Sequence, residues 1–125
     1  MNFLVSQEAT KMNEYLFSYG TLQKKEVQIK LFGRILPGSN DVLKSYKIVS
    51  IEIKDESFLS KGEEKYQSTL IFTNDKNDWV KGTVLEITKD ELLLADKYEP
   101  RNYKRIKVIP ESGKQAWIYI AVEAN

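Results

Sequence analysis

Apolar and polar residues alternate in short runs along most of this chain, and few stretches hold the 3.6-residue spacing of a helix. Tyr15-Leu16-Phe17-Ser18-Tyr19 is dense in aromatic and apolar side chains, which predicts a short buried strand interrupted by Gly20. Val27, Leu31 and Ile35 fall on one face of a helical stretch over 26–32, with Gly33 as its stop. From Asp41 to Ile53 the apolar positions include Val42, Tyr46, Ile48, Val49, Ile51 and Ile53. The alternation from Val49 to Ile53 predicts a strand with one wet face. The charged, glycine-containing run 54–65 reads as an exposed loop. Strands are predicted again over 66–72 and 79–87, separated by the turn cluster Asn74-Asp75-Lys76-Asn77-Asp78.

Thr88-Lys89-Asp90-Glu91 is an S/T-x-x-E capping box set directly before Leu92-Leu93-Leu94. It predicts a helix over 89–98, which Pro100 ends. Two further strands, 103–109 and 114–122, are joined through Pro110-Glu111-Ser112-Gly113 as a hairpin turn. About six strands and two short helices, mostly without βαβ alternation, predict an α+β fold. Its centre would be a small, mostly antiparallel sheet that curls or closes, with helices outside. Trp79, Trp117 and Tyr119 are expected in the core or rim of such a barrel. Residues 1–13 read as an irregular leader and 14–125 as a single domain.

Composition narrows the chemistry. Among 125 residues, 42% are apolar, enough for one ordinary core. Lys and Arg number 19 against 18 Asp and Glu, a net charge of +1. That balance gives no general attraction to nucleic acid or anionic membranes, and neither is expected as a partner. No run approaches the ~20 apolar residues that span a bilayer, and the first residues lack the basic stretch of a signal peptide. The expected location is the cytoplasm. There are no cysteines and no histidines. Their absence removes disulfides, thiolate nucleophiles, Ser-His triads and the commonest metal ligands. Proton transfer, if the protein performs it, falls to a carboxylate, a lysine or a tyrosine.

Three clusters could carry such chemistry. Tyr19-Gly20-Thr21-Leu22 sets a glycine break after an aromatic strand, where successive backbone N–H groups can converge on one oxygen. The same tetrapeptide also fits a plain strand-ending turn. Asp96-Lys97-Tyr98-Glu99-Pro100 ends the second helix. A carboxylate there faces the negative end of the helix dipole, which raises its pKa toward a range useful for proton transfer. Either acid also fits solvated surface decoration. In Tyr103-Lys104-Arg105, alternation sends Tyr103 and Arg105 to one face, as ligand-orienting groups or as a cross-strand ledge. Lys24, Lys25, Lys30 and Arg34 are read as keeping the first helix soluble.

In their order and spacing these motifs resemble the γ-glutamylcyclotransferase-like family, which includes AIG2-like proteins and γ-glutamylamine cyclotransferases. Members have a strand entering a Tyr-Gly-(Thr/Ser)-Leu loop, a strand with a central Gly, and a capped helix ending Leu-Asp-x-x-Glu-Gly. Tyr-x-Arg follows. Here these read Leu16 to Leu22, Val80-Lys81-Gly82-Thr83-Val84, Ala95-Asp96-Lys97-Tyr98-Glu99-Pro100 and Tyr103-Lys104-Arg105, with Ala116-Trp117-Ile118-Tyr119 like the closing strand. The likeness runs from about Tyr15 to Val122, and it departs at Ala95 and Pro100, where the family carries Leu and Gly.

The resemblance implies a six-stranded barrel flanked by helices, with a pocket at one mouth. It also implies an enzyme that cyclises a γ-glutamyl amide or amine to 5-oxoproline without a cofactor. Glu99 would be its general acid/base, and Tyr19, Gly20, Thr21, Leu22 and Tyr103 would bind substrate. A non-catalytic module binding a small carboxylate on the same fold is the alternative, Pro100 being the departure that favours it. Two further readings are an enzyme cleaving another acyl amide and a protein-interaction domain. The oligomeric state is left open.

Overall fold

A computed structural model describes residues 13–122. The expected leader, save Asn13, lies outside the described residues. β1 (Glu14–Ser18) leads through a 3-10 turn (Thr21–Gln23) into α1 (Lys25–Phe32). There follow β2 (Gly38–Lys44), β3 (Tyr46–Glu52), the one-turn α2 (Glu56–Leu59), β4 (Tyr66–Phe72) and β5 (Trp79–Ile87). The chain continues with α3 (Lys89–Tyr98), β6 (Tyr103–Val108) and β7 (Ala116–Ala121).

Five strands form one sheet in the order β2-β5-β1-β7-β6, and β3 pairs with β4 in a second. Every pairing is antiparallel except β1 with β7. The architecture is α+β. Seven strands replace the six expected, and no ring of hydrogen bonds closes them into a barrel among the described residues. The count differs because 41–53 holds parts of two strands, interrupted at Ser45, whose φ is 71°. The expected loop 54–65 also contains α2, whose first turn is capped by the Asp55 carboxylate accepting from the Ser57 N–H at 3.1 Å.

β1 lies between two neighbours and is buried on both faces, which is why its sequence is a continuous apolar run. Leu16 packs with Leu85, Ile87, Leu92, Ala95 and Tyr98 on the helix side. Phe17 packs with Leu43, Leu70, Val84 and Ile118 on the other. Both side chains are 1% exposed, so each contributes about 1.5–3 kcal/mol through burial. Thr69 in β4 accepts from the Ala121 N–H at 2.8 Å, tying the second sheet to β7.

α3 begins where the capping box places it. The Glu91 N–H donates to Thr88 Oγ1 and the Thr88 N–H donates to Glu91 Oε1, at 3.1 and 3.0 Å. Arg34 adds a two-pronged ion pair to the same Glu91 at 2.7 and 2.8 Å, docking α1's exit against α3's entry. Trp79, expected in the core or rim, is 53% exposed at the start of β5, so it is not a core residue. After α1 it is Leu36 that turns inward, with Ile35 49% exposed.

Candidate active site

The ends of β1 and α3, the start of β6 and the middle of β4 meet around one cavity of about 300 Å³. Tyr19, Gly20, Thr21, Leu22, Glu99 and Tyr103 all stand on its wall.

Glu99 owes its aim to two local constraints. Leu92, Ala95 and Tyr98 are buried, so one face of α3 is fixed on the core, while Leu93 and Leu94 are exposed. The Glu99 N–H completes the last helical bond to the Ala95 carbonyl at 3.1 Å. The backbone then leaves the helix at φ −67° and ψ 153°. Pro100 requires that departure, since its ring excludes helical geometry from the residue before it. Pro100, itself buried, also lines the cavity. The carboxyl is thus held at the wall by a fixed backbone.

The surroundings change its chemistry. Desolvation pushes the Glu99 carboxyl up from an ordinary 4.5 to about 8. Lys61 opposes that rise, and Glu63 and Asp96 add to it. Desolvation is therefore the largest of these causes.

Asp96 takes no part in the cavity. Arg105 donates to its two carboxylate oxygens at 2.6 and 3.0 Å, and the Tyr119 hydroxyl donates at 2.6 Å. Against a desolvation that pushes it up, these bonds bring the Asp96 carboxyl below its usual value. The acid pins the last turn of α3 to β6 and β7. Arg105 is spent on this clamp and lies 4.4 Å from the centre of the Trp117 ring, so it does not orient a ligand in the cavity.

The Tyr19 hydroxyl donates to the Tyr119 carbonyl, and the Tyr103 hydroxyl donates to the Ser68 carbonyl at 2.8 Å. Burial and then neighbouring charge push both phenols above their usual value, which leaves them protonated at neutral pH. Leu22 lines the cavity, its side chain belongs to the core, and its backbone is anchored. Buried Gln28 fixes that backbone by donating to the Leu22 carbonyl and accepting from the Leu36 N–H, each at 2.8 Å. A Cβ at Gly20 would meet no protein atom within 4 Å, so no packing requires a glycine there.

Lys24, Glu64, Tyr66, Gln67 and Ser68 also line the cavity, and none was marked by the sequence as a site residue. A strand over 66–72 was predicted, but which loop its residues would face depends on long-range docking.

A stability measurement can detect the desolvated acid without any substrate. A carboxyl whose pKa is higher folded than unfolded is neutral in both states at low pH, and folding must oppose its ionisation as pH rises. Glu99 should therefore weaken the fold progressively between about 4.5 and about 8. The Glu99→Gln variant should gain stability over its parent between pH 5 and pH 9 in denaturant titrations. A constant difference across that range would contradict the shift.

The family model described as gamma-glutamyl cyclotransferase, AIG2-like, matches residues 16–125. The chain belongs to this family. Solved structures place its fold among those of cyclotransferase-like proteins. A protein of Arabidopsis thaliana known from its solution structure aligns at TM-score 0.67 with 19% identity, over 88% of this chain. This chain spans 62% of that protein. A second Arabidopsis thaliana solution structure gives 0.66 and 19%, over 91% of this chain and 72% of its own. A structure named gamma-glutamyl cyclotransferase gives 0.62 and 16%, over 90% and 69%. No curated protein matches this AIG2-like sequence closely enough to count as a relative. Among the described residues, no helix of this family member is long and apolar enough to cross a membrane.

Proposed function

We propose that the protein cyclises a γ-glutamyl amide or amine to 5-oxoproline, releasing the amine, with Glu99 as the proton-transfer group. The observation that carries this reading is a carboxyl raised to about 8 in the cavity that also holds the Gly20 turn. Family membership supports the reaction class.

Nucleophile and electrophile belong to one substrate molecule, so the protein's first task is to fold that molecule into a reactive conformer. The α-amino nitrogen attacks the γ-carbonyl carbon, and the carbonyl oxygen becomes an oxyanion. Collapse of that intermediate reforms the carbonyl and breaks the bond to the departing nitrogen. Glu99 accepts a proton from the α-ammonium before the attack and delivers it to the departing nitrogen. The second proton, shed by the new ring nitrogen, ends on the released amine, which leaves as an ammonium, so no net proton is gained or lost. A carboxyl with a pKa near operating pH suits both transfers, and such catalysis supplies about 10²–10⁴-fold. In this reading the first amides of the 3-10 turn, which lack partners within the turn, receive the substrate's carboxylate or the oxyanion. Tyr19 and Tyr103 shape the walls, no cofactor is required, and the setting is the cytoplasm.

Incubation with a panel of γ-glutamyl amino acids and amines, following 5-oxoproline, tests the proposal. Formation of 5-oxoproline from at least one member is expected, and none from any member would overturn it. The kcat/KM profile for the accepted substrate should carry an ascending limb near pH 8, where Glu99 becomes a base in the free enzyme. A flat profile from pH 6 to 9 would remove Glu99 from the reaction.

One observation favours a second reading, a non-catalytic module for small carboxylates. Pro100 replaces a glycine of the family pattern and contributes no N–H at the cavity wall. That reading predicts binding without 5-oxoproline release, and indifference to Glu99→Gln.

A further inference from the structure

The segment between β3 and β4 is fastened twice to the far end of α3. Asp55 accepts from the Arg101 N–H at 2.7 Å. Lys61 donates to the carbonyls of Lys97 and Tyr98 at 3.2 and 3.1 Å. Its ammonium also lies 5.7 Å from the centre of the Phe58 ring and 5.3 Å from that of Tyr98. These carbonyls belong to the last turn of the helix, which has no following N–H groups to satisfy it and forms the negative pole of the dipole. The Tyr98 carbonyl is bonded directly to the nitrogen of Glu99. A fixed cation therefore stands immediately behind the acid, on a segment whose sequence reads only as a charged loop.

The charged and titratable groups facing Glu99 from the packed elements are few. Lys61 and Glu63 come from the segment before β4, and Asp96 from its own helix. The phenols of Tyr19, Tyr98, Tyr103 and Tyr119 come from the residue after β1, from α3, from β6 and from β7. Lys24 and Glu64 line the same cavity. Asp96 is already neutralised by Arg105, and the phenols are uncharged at neutral pH. Lys61 is the one cation among these groups that acts on Glu99 without an ion-pair partner among the described residues.

We propose that Lys61 is a positioning residue for Glu99: by capping the carbonyl end of α3 it neutralises the helix terminus behind the carboxyl and sets the pH at which that acid exchanges its proton. The inference rests on Glu99 being the proton-transfer group, as proposed above, yet its test needs no turnover. Of the charges that act on Glu99, Lys61 has the largest influence and the only lowering one.

The test is a titration of Glu99 itself, with the carboxyl carbon ¹³C-labelled in glutamate and its resonance assigned by its loss in Glu99→Gln. In Lys61→Met the midpoint should rise by about half a pH unit, the size of an uncapped helix end. Lys61→Gln should shift it equally, which keeps the test available if the methionine variant folds poorly. Lys61→Arg, which keeps the charge, should return the midpoint to that of the parent. A midpoint unmoved in both neutral variants, or an arginine variant displaced as far as they are, would overturn the assignment. A shifted titration in a protein that forms no 5-oxoproline would support the role of Lys61 and overturn the proposed reaction, so the two failures are separable.

Discussion

Glu99→Gln is expected to lower the rate of 5-oxoproline formation by at least about a hundredfold while leaving the fold intact. The substitution keeps the size of the side chain and the backbone geometry that Pro100 imposes, and removes only the exchangeable proton. A general acid/base acts in the transition state more than in the bound substrate, so kcat and kcat/KM should fall together with KM little changed. The same variant should be more resistant to denaturant than its parent at pH 9, because the parent must then hold a carboxylate where its desolvation is costly. Lost turnover with gained alkaline stability is a pairing that a merely structural acid would not produce. Undiminished turnover in Glu99→Gln would discard the mechanism and leave the binding-module reading in its place.

Local signals were the legible ones. α3 runs over the predicted 89–98 because its cap and its stop are written in adjacent residues, Thr88 with Glu91 and then Pro100. β4 and β5 likewise occupy the predicted 66–72 and 79–87. β2 was not separated from β3, since Gly38-Ser39-Asn40 has no strand pattern and Ser45 is not a residue type that announces a positive φ. The division into two sheets depends on pairings such as Asp41 with Gly82, which periodicity cannot reveal. In the site, three adjacent leucines spread around the helical wheel and left the direction of Glu99 open. Only packing selects Leu92 with Ala95 and Tyr98 as the inward face. Glu99 and the Gly20 turn were already among the clusters marked from the residues, and the family resemblance selected Glu99 over Asp96. Lys61 was marked by nothing, because its effect is exerted on a helix end 36 residues away in sequence.

Gly82→Ala should destabilise the fold by at least about 2 kcal/mol, and Gly82→Val by more. Gly82 lies inside β5, where glycine ordinarily weakens a strand, so its presence calls for a reason in packing. That reason is close approach. A Cβ there would stand 2.5 Å from the Ser18 carbonyl oxygen and 2.6 Å from Phe17 Cζ. Neither neighbour can yield easily. Phe17 is 1% exposed within the core on that side of the sheet, and the Ser18 oxygen is backbone in the strand hydrogen-bonded to β5. The chain must shift at the end of β1, and the next residues are Tyr19 and Gly20 on the cavity wall. The alanine variant should therefore also lose turnover per folded molecule, through displacement of the turn opposite Glu99. Denaturant titration and an active-fraction-corrected assay read the two effects separately. An alanine variant as stable as its parent would show that β1 and β5 can part without cost, and that the glycine does not serve their contact.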